Sequence, residues 1–147
     1  MSISKKGTLN PNWGKFGPLH QCYGGLKVQE KRKLRSRISR AIRGNLKGRG
    51  KDGRTWQSLV GYSYKQLVNR LKATLPGGYE WERDFINGGG ILHIDHIIPV
   101  AAFNFTKPEH IDFKKCWALK NLRLIPAKEN LKKNAKLKKP HQPSLLI

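Results

Sequence analysis

The sequence predicts an α+β fold in which a small, mostly basic helical N-terminal part packs on two short strands and a following helix. Apolar residues recur every four positions from Leu34 to Leu46, and a second stripe with helical spacing follows Ser63. Short apolar runs near 91–98 and 122–125 each end at a proline, which cannot donate a backbone hydrogen bond to a sheet. These patterns favour helices first and strands later in the chain.

The first predicted helix covers about residues 27–47 and is strongly basic. Its apolar stripe consists of Leu34, Ile38, Ile42 and Leu46. Between positions 27 and 54 there are twelve Lys or Arg residues, against only Glu30 and Asp52. Such a helix either lies along DNA phosphates or presents a solvated charged face, and the lopsided charge favours the former. The candidate DNA contacts on this helix are Lys31, Arg32, Arg35, Arg37, Arg40 and Arg43.

Composition restricts the class of partner. The 147 residues are enough for one modest core, and 30 basic against 9 acidic residues give a net charge of +21 and a pI near 10.5. This imbalance indicates a polyanionic partner, nucleic acid ahead of an anionic membrane. No apolar run approaches the ~18 residues of a membrane span, and the N-terminus lacks the apolar core of a signal peptide. An intracellular nucleic-acid-binding protein is therefore expected.

The remaining elements are predicted from local signals. Ser63 and Gln66 form a capping box that begins a helix over about 63–75, which Pro76-Gly77-Gly78 ends. Gly88-Gly89-Gly90 predicts a flexible turn into the strand at Ile91, and a short helix is expected near 113–118. The predicted organisation is an irregular segment 1–25, a domain 26–137 with its core at 91–137, and a flexible tail 138–147. Cys22 and Cys116 are interpreted as reduced thiols, because no Cys-x-x-Cys pair exists.

The stretch from Leu92 to Pro99 places Asp95 directly beside His96, with His93 two residues before the aspartate. Side chains of adjacent strand residues point to opposite faces, so the pair cannot chelate one ion unless the backbone bends. The two neighbours can instead act separately, with the carboxylate holding a metal while the imidazole takes a proton from water. The dipeptide alone is common, and its meaning depends on the residues downstream of it.

Downstream, a short strand from Leu122 to Ile125 stops at Pro126, and a helix is expected from Ala127 to Leu137. Asn is a mediocre residue inside a helix and prefers caps, so the asparagines of this region need another explanation. They are Asn121, Asn130 and Asn134. The sequence therefore predicts a small oxygen-rich metal site. It would be formed by the strand that carries Asp95 and His96, a return strand, and a helix that offers an amide oxygen.

This region resembles the HNH endonuclease family of phages and bacteria, which is built on the ββα-metal fold. The resemblance rests on Asp95-His96-Ile-Ile-Pro, on Asn121, and on Asn130 nine residues later with Lys133 behind it. The segments Leu59-Val60-Gly61-Tyr62-Ser63 and Tyr79-Glu80-Trp81-Glu82 are similar to the sequence upstream of the motif in that family. The resemblance covers roughly residues 55 to 137.

The resemblance implies a role for each matching residue. Asp95 is implied to be a metal ligand, His96 the general base that activates water, and Asn130 a second ligand through its side-chain oxygen. Asn121 is implied to brace the loop between the strands by hydrogen bonds. Lys133 is implied to contact phosphate, with Lys132 beside it on DNA. His93 keeps two open roles: lining the metal or the scissile phosphate, or purely structural packing.

The expected activity is metal-dependent hydrolysis of DNA phosphodiester bonds. Carboxylate and amide oxygens are hard ligands, so Mg²⁺ or Mn²⁺ is expected ahead of Zn²⁺ or Ni²⁺. Double-stranded DNA is the expected partner, with no obligate protein partner evident, in the cytoplasm of a bacterial or phage-infected cell. One such site cuts one phosphodiester at a time, which suits strand nicking. The alternative is a non-catalytic DNA-binding protein on the same fold.

Each of these candidate site residues also has a purely structural interpretation. With so many basic residues, Asp95 has ready partners for an ordinary salt bridge. His96 fits a core histidine, Asn130 an exposed helix residue and Lys133 part of a solvated charged face.

Overall fold

The computed structural model describes residues 25–46, 51–134, 141 and 143, with side chains from Lys27 onward. The sequence predictions for residues 1–24 and for most of the tail 138–147 lie outside these ranges. The helices are α1 (Gly25–Asn45), α2 (Trp56–Val60), α3 (Tyr64–Ala73), α4 (Ile111–Cys116) and α5 (Ala127–Lys133), and the strands are β1 (Leu92–His96) and β2 (Leu122–Pro126). Helices with one small antiparallel sheet make this an α+β fold. No helix in the described ranges is long and apolar enough to cross a bilayer.

The chain divides into two units, residues 1–36 and 37–147, and the division falls within α1. In the described part of the first unit, Leu34 is buried whereas Lys31, Arg32 and Arg35 are exposed. The second unit contains the rest of α1 and all of the other elements.

The predicted apolar stripe of α1 is confirmed. Leu34, Ile38, Ile42 and Leu46 are each at most 1% exposed. Gly44, near the end of the helix, is the only helix-breaking residue in its interior. The helix stops at Asn45, two residues before the expected boundary. Burial of one stripe, with basic residues on the other faces, is what an amphipathic surface helix requires.

The predicted capping box at the start of α3 is also confirmed. The Ser63 hydroxyl accepts a hydrogen bond from the Gln66 backbone N–H, and the Gln66 side chain accepts one from the Ser63 N–H. This exchange satisfies two of the free donors at a helix start. Leu67 and Leu71 are fully buried and attach the helix to the core.

Helix α3 also closes the outer edge of β2. Arg70 Nε donates to the Leu122 carbonyl at 2.9 Å, and the Thr74 hydroxyl accepts from the Leu124 N–H at 3.1 Å. An exposed strand edge carries unpaired backbone groups that template aggregation. These two side chains occupy such groups on β2 and hold the strand in place.

Strands β1 and β2 pair antiparallel over their full length, from Leu92 opposite Pro126 to His96 opposite Leu122. In this register Asp95 lies directly opposite Arg123. Helix α5 follows β2 without an intervening loop, and the Ala127 N–H donates to the Ile91 carbonyl at 2.9 Å. The order strand, strand, helix therefore brings α5 back beside the start of β1.

Large aromatic side chains form part of the buried core. Phe85, Phe113 and Trp117 are each at most 1% exposed. The Tyr62 hydroxyl donates to the Trp117 carbonyl at 2.9 Å. Cys116 is a free, fully buried thiol beside Trp117, and burial raises its pKa to about 12, so it stays protonated at neutral pH.

The structure differs from the sequence predictions in several elements. The helix predicted to reach Leu137 does not continue past Lys133, because Asn134 adopts a left-handed φ of 48°. The short helix expected near 113–118 begins earlier, at Ile111. Helix α2 and a single π-helical turn over Trp81–Ile86 were not predicted. These elements are only five or six residues long, too short for periodicity to identify.

The glycine turn before β1 is tightly constrained. A Cβ on Gly88 would lie 2.1 Å from the Asp84 carbonyl oxygen, so only glycine permits this approach. Gly89 and Gly90 have φ of 60° and 112°, which also favour glycine. The Ile91 N–H then donates to the Gly88 carbonyl at 3.2 Å. The flexibility expected of this turn is thus replaced by a specific backbone geometry.

Candidate active site

Strand β1 directs Asp95 and His96 to different surroundings. Adjacent strand residues point to opposite faces, and here one face meets α5 while the other meets Trp117. His93 and Asp95, two residues apart, share the face that meets Asn130 and Lys133 of α5. Residues three apart on a helix lie on one side of it, which is why both contacts form together.

The Asp95 carboxylate lies between two cations. The Lys133 ammonium lies 2.7 Å from Oδ1 and 2.9 Å from Oδ2, and Arg123 Nε donates to Oδ2 at 2.9 Å. Lys133 also donates to the His96 carbonyl. Asp95 is 6% exposed, so its charge requires such partners. The ordinary salt bridge that was the structural alternative for Asp95 is therefore present in this structure.

The His96 imidazole packs edge-on against Trp117, with ring centroids 4.7 Å apart and planes at 88°. Its Nε2 is enclosed and has no hydrogen-bond partner among the described residues. Burial lowers the pKa of His96 from 6.5 to about 4; Asp95 opposes this shift and Lys133 adds to it. The ring is therefore neutral at pH 7 and can accept a proton.

The structure pairs His93 with Asn130. The Asn130 amide nitrogen lies 3.1 Å from His93 Nδ1. The amide nitrogen can only donate, so His93 Nδ1 is the acceptor in this contact. With its nitrogen committed to His93, Asn130 has its Oδ1 oxygen left to accept a hydrogen bond or ligate a cation. Through this contact His93 orients the Asn130 side chain. This role lies between the two that the sequence left open, lining the metal or phosphate and purely structural packing.

Asn121 connects the exit of β1 to the entry of β2. Its Oδ1 accepts from the Ile98 N–H at 2.8 Å, and its Nδ2 donates to the carbonyls of Ile98 and Cys116 at 3.2 and 2.8 Å. Its own carbonyl accepts from the Ile97 N–H at 2.8 Å. The residue is 5% exposed, and both ends of its side-chain amide are taken up by these backbone contacts. Asn121 is thus a positioning residue, which fixes the backbone immediately after His96.

The oxygen atoms that surround the Lys133 ammonium have the chemistry of a hard-cation site. The Lys133 ammonium occupies both Asp95 carboxylate oxygens and the His96 carbonyl oxygen, so a cation is already accommodated there. Asn130 borders the same cavity. Mg²⁺ is typically held by one or two carboxylates with water and phosphate completing its shell, and this donor set fits that pattern. Within the described ranges no three His, Cys, Asp or Glu side chains cluster as a metal site.

Two cavities meet at His96. One, of about 310 Å³, is bordered by Asp95, His96, Asn130 and Lys133. The other, of about 350 Å³, is bordered by His96, Asn130, His93 and Trp117 together with parts of α1. His96 and Asn130 line both cavities.

The candidate DNA contacts fall into two groups. Lys31, Arg32, Arg35, Arg40, Arg43 and Lys132 are exposed. Arg37 is half-buried: it donates to the Phe85 carbonyl at 2.9 Å, and its guanidinium lies 5.0 Å from the centre of the Phe85 ring. Burial also lowers the pKa of Arg37. Arg37 is therefore committed to the protein interior, and phosphate contacts from this helix fall to its exposed neighbours.

Sequence reasoning missed Arg123 and Trp117 as site residues. Arg123 carries charge opposite Asp95, but that pairing appears only when the register of the two strands is known. Trp117 directly follows α4, and its contact with His96 depends on the tertiary fold. The pairing of opposite charges between neighbouring strands is a signal that could have identified Arg123.

Comparisons with models of protein families, with characterised proteins and with solved structures give no significant match. The function is therefore inferred from the residues of the site.

Proposed function

We propose that this protein is a metal-dependent DNA endonuclease of the HNH type, with Asp95 and His96 in a ββα-metal site. One observation carries the proposal: Asp95, His96 and Asn130 border a single cleft, and the His96 ring is neutral at pH 7. The net charge of +21 supplies the class of substrate, because it favours a polyanion.

In this proposal each residue has a separate role. Asp95 and Asn130 would hold a divalent ion through oxygen atoms, with Mg²⁺ or Mn²⁺ preferred. When bound, the ion supplies charge neutralisation on the phosphoryl oxygens and stabilises the leaving oxygen. His96 accepts the proton of the attacking water, and Asn121 keeps the backbone next to it in place. Exposed lysines and arginines, including Lys132, contact the DNA backbone.

The second candidate is a DNA-binding protein without hydrolytic activity. A specific observation favours it: both Asp95 oxygens are occupied by Lys133 and Arg123, as in a purely structural ion cluster. In that case the same basic surface binds DNA, and divalent ions leave the protein unaffected. The two candidates differ in whether Asp95 ever exchanges Lys133 for a metal.

The testing experiment follows cleavage of a labelled DNA duplex by full-length wild type, Asp95→Asn and His96→Ala over a range of Mn²⁺ concentrations. Asp95→Asn should raise the Mn²⁺ concentration needed for half-maximal rate. His96→Ala should lower the rate at saturating Mn²⁺ by about 10² to 10⁴, the usual contribution of a general base.

Glu129→Gln is the matched control, because Glu129 is an exposed carboxylate on the same helix as Asn130. It should cleave like the wild type. DNA binding with no metal-dependent cleavage in any variant would support the second candidate and overturn the first.

A further inference from the structure

Lys133 already occupies a cation site. Its ammonium contacts three oxygen atoms: both carboxylate oxygens of Asp95, at 2.7 and 2.9 Å, and the carbonyl oxygen of His96. The Lys133 side chain is 12% exposed and that of Asp95 is 6% exposed. An ammonium within an oxygen cup of this kind stands where a hard cation would bind.

The local structure explains why this lysine, and not its neighbour, enters the cup. Lys133 is the last residue of α5, and the left-handed Asn134 ends the helix immediately after it. The Lys133 side chain reaches β1, where its ammonium contacts Asp95 and the His96 carbonyl. Lys132 has the same chemistry but points outward and is exposed. Orientation on α5, rather than residue type, distinguishes the two lysines.

The ammonium and a divalent ion exclude each other at Asp95. Both require the same carboxylate oxygens, and like charges a few ångströms apart in a partly buried site repel strongly. Arg123 remains on Oδ2 as a second positive charge. A metal can bind Asp95 only after the Lys133 ammonium has left it.

The cleft offers Lys133 an alternative anion. The cavity of about 310 Å³ beside Asp95 is bordered by Lys133, Asn130 and residues that follow β1. A DNA phosphate in this cavity would present oxygens within reach of the flexible lysine stem, and lysine binds phosphate as a mobile point charge. We propose that Lys133 keeps the Asp95 site closed to divalent ions until a DNA phosphate draws its ammonium away. This inference rests on the proposed function.

The proposal makes metal binding and DNA binding cooperative. DNA removes the competing ammonium and so tightens metal binding, and by thermodynamic reciprocity metal tightens DNA binding by the same factor. Free protein then holds metal weakly. The metal-loaded state forms mainly where a phosphate is already present.

The first test measures Mn²⁺ binding to DNA-free, full-length protein by calorimetry. Lys133→Gln removes the competing charge, so Mn²⁺ should bind on the order of tenfold tighter than to wild type, within the usual range of coupling between sites. Lys132→Gln is the matched control and should bind Mn²⁺ like wild type.

A second measurement uses wild type alone and does not depend on the folding of any variant. Acylation of lysines, followed by mass spectrometry, should show low reactivity at Lys133 without metal. Saturating Mn²⁺ should raise the reactivity of Lys133 severalfold and leave that of exposed Lys132 unchanged.

The outcomes separate this inference from the proposed function. If Mn²⁺ binds wild type but leaves Lys133 equally protected, and Lys133→Gln binds no tighter, the closing role of Lys133 is refuted while the metal site stands. If Mn²⁺ binds neither protein, with or without a DNA duplex, the metal-dependent function and the role of Lys133 are overturned together.

Discussion

The Lys133 ammonium bridges both carboxylate oxygens of Asp95, at 2.7 and 2.9 Å, and this contact joins the end of α5 to the middle of β1. Arg123 adds a third charge from the opposite position on β2. A carboxylate proposed to hold a metal is therefore stabilised by two cations of its own chain. The stability of the fold depends on the contacts of Asp95 with Lys133 and Arg123. The proposed metal binding depends on the release of Lys133 from Asp95.

Lys133→Met should destabilise the metal-free protein. It leaves the buried Asp95 charge with Arg123 as its remaining partner, so the cost should be about 1–3 kcal/mol, below the full penalty for an unpaired buried charge. Urea unfolding in EDTA measures it, with exposed Lys132→Met expected within about 0.5 kcal/mol of wild type. Equal stability of the two variants would show that the cluster contributes nothing to folding.

Asn121→Ala should be more costly, because it leaves the Ile98 N–H and two carbonyl groups without their partner in a buried setting. The expected loss in the free energy of unfolding is about 2–4 kcal/mol. Asn69 is exposed on α3, and Asn69→Ala serves as the control with little change. A loss below about 1 kcal/mol for Asn121→Ala would contradict its bracing role.

His96 should remain neutral well below its ordinary range. Its pKa of about 4 in the fold lies below 6.5, so between these values the unfolded chain binds more protons than the native one. The free energy of unfolding therefore falls by about 3 kcal/mol as the pH drops from 7 to 4. Titration of labelled histidines by NMR in EDTA, with His96→Gln to assign the signal, measures the pKa. A midpoint near 6.5 would contradict the burial argument.

The exposed arginines of α1 should contribute to the salt dependence of DNA affinity. Arg40→Gln with Arg43→Gln should lower the slope of log affinity against log salt by up to about 2, since each phosphate contact contributes roughly 0.9. Lys65→Gln with Lys120→Gln removes the same charge from exposed positions elsewhere. If both double variants change the slope equally, the effect reflects net charge rather than a binding surface on α1.

His93→Ala should weaken the proposed metal site without unfolding the protein, because it removes the acceptor that fixes the Asn130 amide. The Mn²⁺ concentration for half-maximal cleavage should rise about tenfold, as for other residues that orient metal ligands. Asn130→Ala should produce a similar or larger rise, and the double variant should add little to it. Additive effects would mean that the two residues act independently.

The helices of this fold were predictable where local signals agree. The stripe of α1 and the capping box at Ser63 are confirmed, because each depends on residues within four positions of one another. Strand β2 was located to within a residue, whereas β1 ends at His96, two residues before the end of the predicted run and three before Pro99. The end of α5 was predicted wrongly: the helix ends at Lys133, because Asn134 has a positive φ of 48° that no helix contains, and Ala135 to Leu137 lie outside the described residues.

The site was predictable in its members but not in its contacts. The sequence brought Asp95, His96, Asn130 and Lys133 forward as candidates, and all four border one cleft. That Lys133 contacts Asp95, and that His93 contacts Asn130, depends on the angle between α5 and β1. Such tertiary geometry leaves no periodic trace in the sequence, and neither does the register that places Arg123 opposite Asp95.

The most direct measurement follows supercoiled plasmid DNA incubated with full-length protein in Mg²⁺, Mn²⁺ or EDTA, with His96→Ala in parallel. We predict relaxed, nicked circles with wild type and a divalent ion, none in EDTA, and a rate at least about 10²-fold lower for His96→Ala. Absence of nicking with every divalent ion, or equal nicking by wild type and His96→Ala, would contradict the proposed nuclease function.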